Sequence, residues 1–148
     1  MSTPPGGTSR NVRALEAVPA GAFDELLALY RDLDDHLARV GVKCRVCGRC
    51  CDFARNDYRL YASFLEFALV ARGHGQPRLG PSGCCGFLVE GSCSIHPVRP
   101  LGCRTFFCDR AHKPREQDTC HAFQQRLRAL TDRHGLAWDY SPFFGRVH

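Results

Sequence analysis

Cys44-Arg45-Val46-Cys47-Gly48-Arg49-Cys50-Cys51 puts four sulfurs into eight residues, and four more follow as Cys85-x7-Cys93-x9-Cys103-x4-Cys108. So many thiols in a short chain need a partner, and the thiolate that binds metal selects zinc, copper(I) or iron–sulfur clusters. Two residues between cysteines let both sulfurs turn toward one metal, and Gly48 supplies the freedom of φ that such a knuckle needs. Cys44-x2-Cys47-x2-Cys50 has the spacing of bacterial ferredoxins, whose fourth ligand is remote. Zinc ribbons instead show two C-x2-C pairs, and no second pair occurs here. The spacing tilts toward iron–sulfur and leaves zinc open. Adjacent Cys50 and Cys51 cannot point the same way in an extended segment, so one of them is available to a second site built with Cys85, Cys93, Cys103 or Cys108.

Outward from this stretch, the chain reads as one small α+β domain, Cys-rich and metal-stabilised. About three helices surround irregular loops and one short β-hairpin. Residues 1–20 form a flexible lead rich in Pro, Gly, Ser and Thr, and 21–148 form the domain. Phe23, Leu26, Leu27, Tyr30, Leu33, Leu37 and Val40 recur at helical spacing, with Gly41 as the stop. A second helix spans roughly Phe64 to Arg72, opened by the Ser63-x-x-Glu66 capping pattern and ended by Gly73. Residues 85–95 read as a hairpin turning at Glu90-Gly91, which would bring Cys85 near Cys93. His96 to Gly102 reads as irregular, with Pro97 and Pro100 excluding regular pairing. A third helix runs from about Thr119 to His134 with Gly135 as its cap, and the tail bearing Trp138, Tyr140, Phe143 and Phe144 packs back.

Composition bounds the function. At 148 residues, 44% hydrophobic and 24% charged, the chain can bury a core, which argues against wholesale disorder. The formal charge of +5 counts cysteine as neutral. Each four-thiolate site around Zn2+ or a [4Fe–4S]2+ core carries about −2, so two sites bring the chain to about +1 and weaken the case for nucleic acid. Lys43, Arg45, Arg49, Arg99, Arg104 and Arg110 then read as cations offsetting thiolate charge. Met1–Arg10 have no apolar h-region and no run of about 18 apolar residues occurs, so a cytoplasmic, non-membrane protein is expected. Reduced thiols in that compartment argue against five disulfides.

The two cysteine groups and their surroundings resemble a known family. Cys44-x2-Cys47-Gly48-x-Cys50-Cys51, Cys85-Gly86-Phe87-Leu88, Gly91-x-Cys93-x-Ile95, Arg99-Pro100-x2-Cys103-Arg104-x-Phe106 and Cys108 closely resemble the CxxCxxCC, or YkgJ-like, zinc- or iron-chelating domains. The resemblance covers roughly residues 40–110. It implies a small cytoplasmic bacterial domain that binds zinc or an iron–sulfur cluster and mostly lacks an assigned reaction. A related cysteine cluster occurs in the flagellin lysine methylase. His96 departs from the family, which more often has Tyr there; this gives no reason to count it as a ligand.

The expected ligands are therefore Cys44, Cys47, Cys50, Cys51, Cys85, Cys93, Cys103 and Cys108, with Arg99 and Arg104 locking the loops that carry Cys93 and Cys103. Cys84 is surplus to the pattern and reads as a loop thiol. Cys120, on an apolar helix face, reads as a small hydrophobe. No G-x-S-x-G, H-E-x-x-H or phosphate-binding loop is present, and Gly73-His74-Gly75 lacks the third glycine of a dinucleotide loop. A thioredoxin-like reading lacks its βαβ context. The expected function is an iron–sulfur protein serving redox chemistry, sensing or a partner enzyme. The alternative is a structural zinc module presenting a protein or nucleic-acid interface. The partner expected is a protein.

Overall fold

The computed structural model describes residues 17–42, 60–80, 83–105 and 113–144. Helix α1 (Ala20–Arg39) buries Phe23, Leu26, Leu29, Tyr30, Leu33 and Leu37, the stripe expected from the sequence. It stops where Gly41 takes φ 85° and the Val42 N–H reaches back to the Leu37 carbonyl at 2.9 Å, a Schellman closure. Most of the expected flexible lead lies outside the described residues; Val18, within it, is buried against the α1 core.

Strand β1 (Tyr61–Ser63) leads directly into α2 (Phe64–His74). The capping box is formed: the Ser63 hydroxyl accepts from the Glu66 N–H, and the Glu66 carboxylate accepts from the Ser63 N–H. Six consecutive residues, Leu65 through Val70, are buried. A helix apolar all round belongs in the interior, and α2 divides two apolar clusters. Helix α2 does not end at Gly73, as the sequence suggested; it continues through His74, and the positive φ belongs to Gly75.

The hairpin is as expected. β2 (Leu88–Val89) pairs antiparallel with β3 (Ser92–Cys93), placing Leu88 opposite Cys93. Glu90 and Gly91 take φ 50° and 80°, the left-handed pair that a two-residue turn requires. The segment 96–102 is more ordered than its prolines suggested. His96–Val98 form a 3-10 turn, and α3 (Leu101–Arg104) is a one-turn helix with Pro100 at its start, where a missing N–H costs nothing.

After a 3-10 turn at Lys113–Arg115, α4 (Glu116–Arg133) packs beside α1 and closes at Gly135, φ 70°, with the Leu136 N–H on the Thr131 carbonyl. The tail packs back as β4 (Tyr140–Pro142). It pairs antiparallel with β1, Ala62 opposite Ser141, in a second two-stranded sheet absent from the sequence reading. The described fold is therefore α+β with four α-helices and two small sheets. One cluster lies between α1, α2 and α4. The other, around Leu60, Ala62, Val70, Ile95 and fully buried Phe143, lies under the hairpin, and Val98 touches both.

Candidate metal centre

Three of the expected ligands are described, and all three meet the second cluster. Cys85 is one of its buried members, while half-buried Cys93 and Cys103 pack against it. They come from separate elements: the bend before the hairpin, strand β3 and helix α3. No disulfide joins any two of the described cysteines. Among the described residues, no three cysteine, histidine, aspartate or glutamate side chains stand close enough together to hold a metal ion. Cys44, Cys47, Cys50, Cys51 and Cys108 lie outside the described residues. The described part is thus a shared neighbourhood for three sulfurs, not a finished ligand cage.

Close approaches fix the backbone beside Cys85 and Cys103. Gly86, just after Cys85, donates its N–H to the Arg78 carbonyl at 2.7 Å. A Cβ on Gly86 would stand 2.4 Å from that same oxygen, so glycine is required there. Leu79 and Cys85 form an isolated antiparallel bridge, and the Phe87 N–H lies 3.4 Å from the Cys85 Sγ. Gly102, just before Cys103, lets α3 settle on Leu60; a Cβ there would meet Leu60 Cδ1 at 2.6 Å.

Helix α3 is held by a polar network. The buried Glu66 carboxylate, besides capping α2, accepts from the Leu101 N–H at 2.5 Å and from the Tyr30 hydroxyl at 2.9 Å. One side chain thereby joins α1, α2 and the start of the helix that carries Cys103. Burial outweighs these hydrogen bonds and holds Glu66 above the ordinary carboxylate range. Burial, and then the Glu66 charge, pushes the Tyr30 phenol well up, so it donates as the neutral form.

Arg104 is buried and spans the loop between Cys93 and Cys103. Its Nε donates to the Arg99 carbonyl at 2.9 Å and its Nη2 to the Pro97 carbonyl at 2.6 Å, while Nη1 meets both Asp34 oxygens at 2.8 and 3.0 Å. The guanidinium also lies 3.9 Å from the Tyr30 ring centre. Burial, then the Arg99 charge, lowers its pKa. Arg99 is buried too, with Nη1 on the His96 carbonyl at 2.7 Å and 3.3 Å from His96 Nδ1. Burial, then the Arg99 and Arg104 charges, lowers the His96 pKa, and Nδ1, facing a guanidinium that can only donate, is the acceptor.

Two further cysteines lie among the described residues. Half-buried Cys84 lies beside Cys85, its carbonyl accepting from the Gly80 N–H at 2.7 Å. Cys120 is half-buried on α4 and hydrogen-bonded to Thr105, and burial raises its thiol pKa. His121 lines an outer groove beside Trp138, and His112 lies outside the described residues. The cysteines, the Arg-Pro element and half of the Glu66 network, its capping box, were legible in the sequence. Asp34 and Tyr30, on a helix more than 30 residues upstream of these partners, carried no local signal beyond helical spacing.

No family model, curated protein or solved structure matched the chain.

Proposed function

We propose that the chain is a metal-binding cysteine-cluster protein of the CxxCxxCC kind. In this reading an iron–sulfur cluster is held through Cys44, Cys47, Cys50, Cys51, Cys85, Cys93, Cys103 and Cys108, for redox chemistry, sensing or support of a partner enzyme. The observation carrying it is the convergence of Cys85, Cys93 and Cys103 on one apolar cluster from three separate elements. The donor set fits: thiolates are the ligands that such clusters take, and an apolar shell raises the worth of each charge interaction around them. Glu66 and Arg104 hold the loop and helix that present Cys103, and the hairpin presents Cys93. When bound, the cluster would supply one-electron chemistry or a redox-sensitive structural core. The protein's own residues supply position, apolar shielding and charge.

A serine scan tests the reading. Protein isolated without oxygen is assayed for bound metal per chain. Cys85→Ser, Cys93→Ser and Cys103→Ser each lower the metal content by half or more, while Cys84→Ser and Cys120→Ser leave it at the wild-type level. Equal metal content across all five would contradict the ligand assignment.

A further inference from the structure

Three aromatic side chains form a continuous stack beside the β1–β4 sheet. Tyr61 of β1 and Tyr140 of β4 lie 5.9 Å apart between ring centres. Trp138, two residues before Tyr140, stacks on the Tyr140 ring at 5.5 Å and an interplanar angle of 7°. The register sets Ser63 opposite Tyr140 and Tyr61 opposite Pro142, so the two tyrosines are diagonal neighbours and strand pairing itself aligns their rings. Trp138 ends the stack and forms one wall of a groove of about 460 Å3. Helix α4 supplies the other wall through His121, Gln124, Gln125, Arg128 and Asp132, which recur at the three- and four-residue spacing of one helix face. The volume falls in the range of small-molecule sites, about 300–1,000 Å3.

The two walls select a flat ligand. Tyr140 covers one face of the indole, and the Arg128 guanidinium stands over the ring at 5.7 Å from its centre. The same contact is 3.8 Å for Arg72 on Phe23 and 3.9 Å for Arg104 on Tyr30, so Arg128 is not closed down on the indole. Two stacking contacts in series need about 7 Å, which exposed Arg128 reaches by swinging outward about 1–2 Å. An aromatic ring on one side and a guanidinium plane on the other are surfaces on which unpaired bases stack. The edge of a ring held there meets the Gln124 and Gln125 amides and the Asp132 carboxylate. Together these offer donors and acceptors, the pattern that reads the edge of a base. Arg128 and Asp132 offset one another's charge, which favours a neutral ring over a phosphate. We propose that this groove binds a nucleobase, stacked between Trp138 and Arg128 with its edge toward Gln124, Gln125 and Asp132. The inference does not rest on the proposed metal centre.

Trp138 is the single tryptophan of the chain, so tryptophan fluorescence reports on this groove alone. The full chain is titrated with adenosine, guanosine, cytidine and uridine, with a short single-stranded oligonucleotide, and with maltose as a neutral sugar, each corrected for ligand absorbance. At least one nucleoside quenches the emission saturably below about 1 mM, and its 5′-monophosphate binds no more tightly. Arg128→Ala, a change at an exposed position, weakens that binding at least about fivefold, the low end of what one stacking partner of a base contributes. Arg126→Ala, whose guanidinium pairs with Asp32 on α1, leaves the binding unchanged. Quenching by nucleoside and strand alike supports a base read in either setting, and quenching by the strand alone with the same loss in Arg128→Ala supports a base presented by a polymer. Quenching by maltose alone, no quenching by any base, or an unaltered affinity in Arg128→Ala overturns the proposal.

Discussion

Glu66 shows how one side chain couples a helix cap to the candidate centre. It serves Ser63, Leu101 and Tyr30 at once. Glu66→Ala would leave buried donors on α1, β1 and α3 without an acceptor, a loss on the order of 3 kcal/mol measurable by denaturant unfolding. Its titration gives a sharper test. Its folded-state pKa is raised above the ordinary 4.5, so the folded protein holds this proton more tightly than the unfolded chain does. The stabilisation from this group is full below the ordinary value and is lost as pH rises through the raised one. The unfolding temperature of wild type relative to Glu66→Gln should therefore fall as pH increases above 4.5. Parallel curves would show that Glu66 does not titrate differently in the folded state. The capping half of this role was legible in Ser63-x-x-Glu66, because a cap is a local device. The contacts to Tyr30 and Leu101 were not legible, because they bridge 36 and 35 residues.

At the level of elements, the helices were legible wherever a repeating apolar stripe and a terminal glycine coincided, as in α1 with Gly41 and α4 with Gly135. The β1–β4 sheet was not, since three-residue strands carry too little alternation to be recognised before their partner is known. Helix α3 was missed for a related reason: Pro97 and Pro100 excluded strand pairing, but Pro100 also favours the start of a helical turn. Two glycines then fix how these short elements meet. Gly86→Ala would drive a Cβ against the Arg78 carbonyl, which belongs to the backbone and cannot swing aside. Gly102→Ala meets a leucine methyl that can yield. Both destabilise, Gly102→Ala by about 1–2 kcal/mol and Gly86→Ala by more, on the scale of overpacked interiors. A Gly86→Ala protein as stable as wild type would contradict this packing. The hairpin offers the opposite case. Glu90 holds φ 50° without being glycine, so Glu90→Asn, which tolerates that region, should stabilise the protein by up to about 1 kcal/mol in the same unfolding assay.

Over the whole molecule, the described elements divide into a helical half that is an ordinary apolar core and a loop-rich half whose short strands and single-turn helix converge on three cysteines. Elements this short are marginal alone, and a metal joining them would couple binding to folding. No helix among the described residues is long and apolar enough to cross a membrane. The candidate ligands were legible because cysteine is scarce and its spacing carries chemical meaning. That Cys85, Cys93 and Cys103 meet one apolar cluster was only partly legible, since it depends on how α3 and the hairpin pack against Phe143 and Ile95 from distant parts of the chain. The measurement that tests the account most directly is a visible spectrum of protein purified without oxygen, with iron, zinc and acid-labile sulfide assayed on the same sample. The account predicts broad absorbance near about 400 nm, as thiolate-ligated iron–sulfur centres give, with iron matching sulfide and bleaching on treatment with chelator and oxidant. A colourless protein carrying stoichiometric zinc would contradict the iron–sulfur reading and leave a zinc-folded interaction module, and a protein with neither metal would contradict the metal centre itself.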